Sequence, residues 1–471
     1  MSGLAESIYL GSPITAQQAI VAAYGWWWYH RRFGTSFHRL AAEFKAREYW
    51  TGDQFLAYQE QQLRKVFCRA RQAPYYRMLF ADLGIPRVGS SFETLLRLPL
   101  LSKDVLRTRS RDLLTEPRKR RTLVFKTSGS TGTPTEIYYE PEFHALELAL
   151  PEARNLNWAG VTYRSKRVMF GVRKVCAYTQ ESPPFWRFSP AENMAYASIY
   201  HLSSRFLDDY LKFLRIYRPD ILMGYPSALT TIAAYARDKG QVPPQVKAIF
   251  TTSETVTEQA RQLIEAVWRT RIFDRYGAVE GCVFASQCEL GRYHVSPEIG
   301  IVEILDGEGR PAPPGEIGEV VCTGLQNMLQ PLIRYRIGDI ARWALDQSCT
   351  CGRQMPILEG IEGRLEDMCY TPDGRAVLRF DTVFKGVDNI KEAQVVQEQL
   401  NLFTIYVVPT AKFNPHDIQT IEKNMKLHVG EVHTTVRCVS TIARTESGKF
   451  RAVLCNLPLD QRTRYKNSFS R

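Results

Sequence analysis

The sequence contains no apolar run of the roughly 18 residues that a membrane-spanning helix requires. Its longest apolar stretch, Ala19 to Tyr29, ends at His30-Arg31-Arg32 and lacks the basic segment and the cleavage site of a signal peptide. Cysteine is scarce, with 10 residues scattered through 471, which argues against a disulfide framework. These absences predict a protein of the reducing cytoplasm.

Motifs typical of RNA or DNA binding are also missing, so no nucleic-acid partner is expected. The net charge is nevertheless +12, and the first 121 residues carry twice as many basic as acidic side chains. This basic region fits an anionic partner such as CoA or a phospholipid surface, and a solvated basic face is the alternative. The tryptophans within residues 19–32 suggest a peripheral membrane contact, or else a helix packed on the domain.

The length and the 44% hydrophobic content allow two or more domains with a large core. The first hundred residues have helical spacing, as in Gln54 to Arg71. Strands predicted at 166–171, 220–224, 246–250 and 271–276 alternate with helices at 206–217, after Pro226 and at 257–269. Such alternation indicates a largely parallel sheet covered by helices.

The predicted fold class is therefore α/β with two domains. Residues 1–363 are predicted to form a large multi-lobed N-terminal domain of mostly parallel sheets, with a β-rich subdomain near 285–355. Residues 364–471 form a small mobile α+β domain with two helical segments and several strands. The sequence leaves the oligomeric state open, with a dimer among the options.

Three polar segments follow predicted strands directly. They are Gly224 to Ser227, Thr252 to Glu254 and Tyr276 to Glu280. Open parallel sheets bind ligands beyond the carboxyl ends of their strands. The binding site is therefore predicted at this edge of the sheet.

Between Lys126 and Thr135 hydroxyl side chains and glycines alternate. Glycines let backbone N–H groups turn toward an anion, and Ser and Thr add short donors, so the segment predicts a nest for phosphate oxygens. It is not a Walker A loop, because the G-K-[ST] ending is missing. An ordinary flexible loop is the alternative.

The order of residues from Thr127 to Pro134 resembles the phosphate loop of adenylate-forming enzymes, S/T-S-G-S/T-T-G-x-P. Six further segments resemble motifs of that family in the same order: Leu98 to Lys103, Thr252 to Glu254, Tyr276 to Glu280, Arg334 to Asp339, Gly363 to Asp367 and Thr445 to Phe450. The likeness runs from about residue 54 to 455 and is greatest to the phenylacetate–CoA ligase/CapK branch.

This resemblance implies ATP-dependent activation of a carboxylic acid to an acyl-AMP, with pyrophosphate release, and then transfer to a thiol, most simply CoA. A CapK-like transferase that passes the acyl group to a sugar amine or a carrier is the first alternative. An inactive nucleotide-binding scaffold is the second. Tyr225, Pro226 and Phe185 to Phe188 suggest an aromatic acid if they line the acyl pocket, or else they are core.

The resemblance also implies roles for individual residues. Lys449 would bridge the acyl carboxylate and the phosphate, Arg364 would hold a phosphate, and Glu280 would bind Mg2+. Asp339 would accept hydrogen bonds from the ribose, and Tyr276 would pack on adenine. The residues expected to bind ATP are Thr127, Ser128, Gly129, Ser130, Thr131, Gly132, Ser253, Glu254, Tyr276, Gly277 and Asp339.

Some positions depart from the family pattern. Val279 stands where the family has Thr or Ser, so one hydroxyl contact to the AMP phosphate is missing. Ile337 stands where the family often has Thr, and Glu366 replaces the usual hinge aspartate. No charge that the mechanism needs is lost.

A second signal consists of Cys288, His294, Cys349 and Cys351. Four soft ligands in two close pairs suit a closed tetrahedral site for structural Zn2+. A C-x-C-G segment just before the hinge is also similar to the phenylacetate–CoA ligase/CapK branch, in which some members bind zinc. Buried thiols beside a satisfied histidine are the alternative.

Overall fold

The computed structural model describes residues 3–85, 92–127, 135–171, 173–373, 375–377, 380–387, 389–445, 448–458 and 461–462. The α-helices are α1 (Gly3–Gly11), α2 (Ile14–Arg32), α3 (Thr35–Ala46), α4 (Gly52–Ala70), α5 (Pro74–Asp82), α6 (Phe92–Leu96), α7 (Lys103–Thr108), α8 (Pro141–Pro151), α9 (Leu207–Tyr217), α10 (Pro226–Asp238), α11 (Glu258–Trp268) and α12 (Pro415–Val429). A π-helical turn, Glu152–Leu156, continues α8.

The strands are β1 (Leu123–Thr127), β2 (Thr135–Tyr139), β3 (Arg167–Gly171), β4 (Trp186–Ser189), β5 (Met194–Ser198), β6 (Ile221–Gly224), β7 (Ala248–Thr251), β8 (Ile272–Gly277), β9 (Phe284–Gln287), β10 (Tyr293–Val295), β11 (Gly300–Leu305), β12 (Gly318–Gly324), β13 (Tyr335–Trp343), β14 (Ile357–Arg364), β15 (Cys369–Tyr370), β16 (Ala376–Val377), β17 (Ile390–Gln399), β18 (Leu402–Pro409), β19 (His433–Cys438) and β20 (Val453–Cys455). The strands predicted between residues 166 and 276 are confirmed to within two residues at each end.

The amino-terminal hundred residues are helical, as predicted. Helix α2 packs on β4, where the Gln18 amide and the Phe188 backbone exchange two hydrogen bonds of 2.8 and 2.9 Å. Its opposite face leaves Trp26 and Trp27 60% and 47% exposed. The tryptophan segment thus packs on the domain and also presents an aromatic surface. None of the helices in the described ranges is both long and apolar enough to cross a bilayer.

One twelve-stranded sheet dominates the molecule, in the order β11-β12-β13-β14-β10-β9-β8-β7-β6-β3-β5-β4. Strands β5, β3, β6, β7 and β8 are parallel neighbours. From β8 to β11 every pairing is antiparallel. The expectation of mostly parallel sheets therefore holds for one half only, because no helix lies between β8 and β14 to make a parallel crossover.

A second core collects buried side chains from Met368 to Leu457. It joins the four-stranded sheet β19-β18-β17-β20 to α12. The sequence predicted two helical segments in residues 364–471, and the described residues there hold one α-helix and two 3-10 turns, Leu365–Asp367 and Asp381–Phe384. The boundary predicted at residues 363 and 364 falls at the end of β14 and stays a prediction.

Candidate functional site

The three polar segments predicted at strand ends follow β6, β7 and β8, which are parallel neighbours. A Cβ on Gly224 would lie 2.3 Å from the Phe170 carbonyl oxygen, so only glycine lets these strands end so close together. Ser253 has φ +72°, a left-handed conformation that is strained for a residue with a side chain. Strain of this kind is typical of segments that bind a ligand.

Glu254 links two parts of the chain that are far apart in sequence. Its carboxylate accepts hydrogen bonds from the Ser227 N–H at 3.0 Å and the Ser227 hydroxyl at 3.1 Å, at the first turn of α10. It also accepts a 2.6 Å hydrogen bond from the Phe450 N–H. Burial raises the pKa of Glu254, and these three donors oppose that rise. One carboxylate thus joins β7, α10 and the segment that carries Lys449.

The segment before Lys449 is held in a tight turn. The Lys449 N–H donates to the Thr445 hydroxyl at 3.0 Å, and the Gly448 N–H donates to the Thr445 carbonyl at 2.7 Å. Gly448 has φ +74°, and a Cβ there would lie 2.7 Å from Ile199. A glycine is therefore required by the backbone conformation and by the close approach to the large domain.

Lys449 lies among charged side chains of the large domain. Burial first, and then the charge of Arg364, lower the pKa of Lys449, while Glu254 and Asp339 oppose the change. The structure therefore places this lysine within electrostatic range of three other predicted site residues.

Asp339 is buried and uses both carboxylate oxygens. One accepts a 2.7 Å hydrogen bond from the Tyr276 hydroxyl, and the other lies 2.9 Å from Nε of Arg364. Burial and the nearby Asp339 raise the pKa of Tyr276. Arg364, predicted to hold a phosphate, here contacts the residue predicted to hold the ribose. Gly277 ends β8 beside this group.

Glu280 is buried and accepts a 3.1 Å hydrogen bond from the Tyr335 hydroxyl. Burial, and then the charge of Glu280, raise the pKa of Tyr335. The Val279 side chain is 43% exposed, and its carbonyl accepts a hydrogen bond from the Tyr139 hydroxyl. The segment after β8 is thus fixed by backbone and tyrosine contacts without the hydroxyl that the family has at residue 279.

The predicted phosphate loop lies mostly outside the described residues. This applies to Ser128, Gly129, Ser130, Thr131 and Gly132, and to the side chain of Thr127. The backbone of Thr127 ends β1 and faces Thr135 of β2 in an antiparallel pair. The predictions for these side chains stay predictions.

The four predicted metal ligands come together in the structure. The ligand atoms of Cys288, His294, Cys349 and Cys351 all lie within 4.8 Å of one another. The Sγ atoms of Cys288 and Cys349 are 3.9 Å apart, and Cys351 Sγ lies 3.4 Å from His294 Nε2. Such spacings are close to the ~3.7 Å edge of a tetrahedron built from zinc–ligand bonds of about 2.0–2.3 Å.

The chemistry of this group also fits zinc. Burial lowers the pKa of His294 to about 4, so its ring is neutral, as a ligand must be. Burial and the neighbouring thiols raise the pKa of Cys349 to about 12, which disfavours thiolates unless a cation compensates them. The Leu290 N–H points at Cys288 Sγ from 3.4 Å, an orienting contact typical of metal-bound sulfur.

The sequence placed two further residues in motif segments without giving either of them a role. Ser227, in the predicted Gly224 to Ser227 segment, holds Glu254 through its N–H and its hydroxyl. Arg334, at the start of a family-like motif, is buried and bonds Glu303 and the carbonyl oxygens of Leu96 and Leu98. It anchors the Leu98 to Lys103 segment and touches no other predicted site residue in the described parts of the chain.

The aromatic residues suggested for an acyl pocket belong to the core instead. Phe185 is fully buried, and Trp186 stacks on Phe213 of α9 with ring centroids 4.2 Å apart. Tyr225 lies in the same core cluster. The suggestion of a pocket lined by Phe185 to Phe188 was therefore wrong, because β4 packs these side chains against α9.

Comparison with known proteins agrees with this geometry. Residues 188–330 match the AMP-binding enzyme family, and residues 369–456 match the CapK C-terminal domain. Protein CapK of Staphylococcus aureus is 26% identical over 367 residues, which cover 77% of this chain and 80% of that protein. Phenylacetate-coenzyme A ligase of Thermus thermophilus is 26% identical over 433 residues, which cover 84% of this chain and 96% of that protein.

Solved structures show the same fold. A 2-hydroxyisobutyryl-CoA ligase in its postadenylation state superposes with a TM-score of 0.69 at 20% identity, covering 90% of this chain and 94% of that chain. The same ligase in its thioesterification state gives 0.56 at 21% identity, again covering 90% and 94%. The two family matches and the relatives that span most of the chain support one conclusion: the chain belongs to the adenylate-forming superfamily, in its phenylacetate–CoA ligase/CapK-like branch.

Proposed function

We propose that this protein uses ATP to activate a carboxylic acid as its acyl-adenylate and then transfers the acyl group to the thiol of CoA. The observation that carries the proposal is the position of Lys449. A segment from the small domain brings this lysine beside Arg364 and Asp339, and the Phe450–Glu254 hydrogen bond holds it there. A surface lysine with no function would not need such a fixed, partly buried position.

Lys449 suits the first half-reaction for an electrostatic reason. In adenylation a carboxylate attacks the α-phosphate of ATP, so two anions must approach each other. Burial lowers the pKa of Lys449 from 10.5. When it is protonated, the lysine neutralises part of the negative charge of the two reacting groups. Glu280 would hold Mg2+, which supplies further positive charge to the phosphates. Asp339 and Tyr276 would position the ribose and adenine, and residues 127–132 would bind the phosphates.

The second half-reaction requires Lys449 to make room for a thiol. Arg451 forms an ion pair with Asp367, next to the predicted hinge residue Glu366, so the Lys449 segment is tied to the start of the small domain. Rotation at the hinge would break only the contacts with the large domain, such as Phe450 with Glu254. The higher TM-score to the postadenylation state of the ligase is in keeping with a lid closed for adenylation.

A CapK-like transferase is the second candidate. It would form the same acyl-adenylate and pass the acyl group to a sugar amine or a carrier. The match of residues 369–456 to the CapK C-terminal domain favours this candidate, because in this branch the small domain admits the acceptor. The two candidates share the first half-reaction and differ only in the acceptor.

Exchange of labelled pyrophosphate into ATP tests the proposal. With a panel of carboxylic acids, we expect exchange that depends on both the acid and Mg2+. Product mass with CoA present then separates a CoA ligase from a transferase. No exchange with any acid would leave the inactive nucleotide-binding scaffold as the better description.

We also propose that Cys288, His294, Cys349 and Cys351 hold a structural Zn2+. The residues come from the β9–β10 hairpin and from the connection between β13 and β14. The ion would therefore link these two parts of the antiparallel half of the sheet. All four ligand positions come from the protein, which suits a structural and not a catalytic ion. Metal analysis of the purified protein tests this directly.

A peripheral membrane contact through residues 19–32 stays a proposal. The exposed Trp26 and Trp27 support it, and Arg31 lies over the Trp27 ring at 5.4 Å. Cosedimentation with vesicles of anionic phospholipid, compared for the natural protein and a Trp26→Ser/Trp27→Ser variant, tests it. Equal sedimentation of the two would count against this surface.

A further inference from the structure

Tyr200 lies at the same edge of the sheet as the candidate site. It follows the end of β5 by two residues, and β5 runs parallel to β3, the neighbour of β6. Its position therefore matches that of the polar segments after β6, β7 and β8, beyond the carboxyl ends of parallel strands. The Tyr200 ring packs edge to face on Tyr178, with the ring centroids 4.7 Å apart.

The segment that carries Lys449 covers the Tyr200 hydroxyl. A Cβ on Gly448 would lie 3.0 Å from the hydroxyl oxygen and 3.2 Å from the ring carbon that bears it. The glycine backbone therefore packs directly on the end of the tyrosine side chain. The neighbouring Phe450 N–H fixes the segment in this position through its hydrogen bond to Glu254.

The covered hydroxyl has no hydrogen-bond partner. Its oxygen is buried, although Tyr200 as a whole is only half-buried, and no described residue, Tyr178 included, forms a hydrogen bond with it. The buried hydroxyl of Tyr210, by contrast, donates to the Ser198 carbonyl oxygen at 2.7 Å. Buried hydroxyls are normally paired, because an unpaired one loses the hydrogen bonds that it makes to water. Burial of the Tyr200 hydroxyl therefore opposes the closed position of the Lys449 segment.

We propose that Tyr200 is a positioning residue that limits how firmly the Lys449 segment stays closed, so that Lys449 leaves once the acyl-adenylate has formed. This inference rests on the proposed two-step reaction. When the segment moves away, water reaches the hydroxyl and restores its hydrogen bonds. An unmade hydrogen bond of a buried hydroxyl changes an equilibrium by about 5- to 150-fold, so Tyr200 favours the open position by a factor of that size. Glu254 acts in the opposite direction, through Phe450.

Hydrogen exchange of the Phe450 amide tests the inference in the full-length protein without ligand. This amide exchanges when its hydrogen bond to Glu254 opens, so its exchange rate reports the open fraction. Tyr200→Phe keeps the ring and removes the hydroxyl, and we expect the amide to exchange about 5- to 150-fold more slowly. Tyr178→Phe removes the neighbouring hydroxyl and should leave the rate unchanged. Unchanged or faster exchange in Tyr200→Phe overturns the inference, as does equal slowing in both variants.

The two half-reactions provide the functional readout. In Tyr200→Phe, acid-dependent pyrophosphate exchange should be retained or increase. Transfer from a supplied acyl-adenylate to CoA should slow by about fivefold or more, because this step requires the open position. A merely structural role would reduce both rates, and that result overturns the inference. If the natural protein shows no pyrophosphate exchange with any acid, the proposed function fails, and the Phe450 amide still decides whether Tyr200 opposes closure.

Discussion

Replacement of Lys449 by alanine should separate the two half-reactions. The lysine contributes one positive charge to a site that already holds Arg364, and removing one such stabilising group costs about 2.7–4 kcal/mol in comparable sites. We therefore expect acid-dependent pyrophosphate exchange to fall ~100- to 1000-fold. Transfer from a supplied acyl-adenylate to CoA should stay within about twofold, because in the proposed mechanism the lysine leaves the site before that step.

The Lys449→Ala substitution should leave the backbone around residue 449 in place. The loop is held by backbone donors, the Lys449 N–H to Thr445 and the Phe450 N–H to Glu254, and neither depends on the lysine side chain. Lys426→Ala is the matched control, since Lys426 lies on the same small domain and pairs with Glu431 at the surface. Surface pairs contribute about 0–1 kcal/mol to stability. Equal loss of both half-reactions in Lys449→Ala would refute the assignment, as would an equal effect of the control.

Three further predictions address other parts of the molecule. Asp339→Asn should raise the KM for ATP about tenfold or more, since hydrogen bonds to charged groups are worth ~1.5–3 kcal/mol; a change confined to the KM for the acid would contradict the ribose role. Cys349→Ser should lose bound zinc and unfold ~5–10 °C lower, whereas Cys68→Ser, an exposed cysteine, should change neither. Burial raises the folded-state pKa of Glu147 to about 8 from the ordinary 4.5, so its contribution to stability is full below pH 4.5 and is lost as the pH rises to about 8. Glu147→Gln should therefore gain stability relative to the natural protein by up to ~1.4 kcal/mol per pH unit in that window, measured by denaturant unfolding; a constant difference across pH would contradict it.

The sequence predicted four of the five parallel strands, β3, β6, β7 and β8, and missed β5. Helix faces such as that of α9, and strands bounded by proline and glycine, are local patterns, and each strand from β3 to β8 is followed by a clear stop. The antiparallel half of the sheet was harder to predict, because its strand order depends on which strands pair across long stretches of sequence. The pairing of β10 with β14, for example, joins residues more than sixty positions apart.

The sequence likewise located individual site residues but did not predict the contacts between distant segments. The family-like motifs located Glu254, Asp339 and Lys449, but they did not show that Phe450 donates to Glu254 or that Tyr276 donates to Asp339. Both contacts join segments that are far apart in sequence.

Glu254 shows how one side chain of the large domain can take part in positioning the small domain. A carboxylate at the start of α10 is favoured by the partial positive charge of the helix terminus, and Ser227 orients it from two sides. The orientation of the Glu254 carboxylate is therefore set within the large domain, and the Phe450 N–H adds one more donor to it. In the proposed mechanism, opening would break that hydrogen bond, worth about 1.5–3 kcal/mol when one partner is charged, while Arg451 and Asp367 would stay paired. The hydrogen bond would then help to hold Lys449 at the reacting groups until the adenylate has formed.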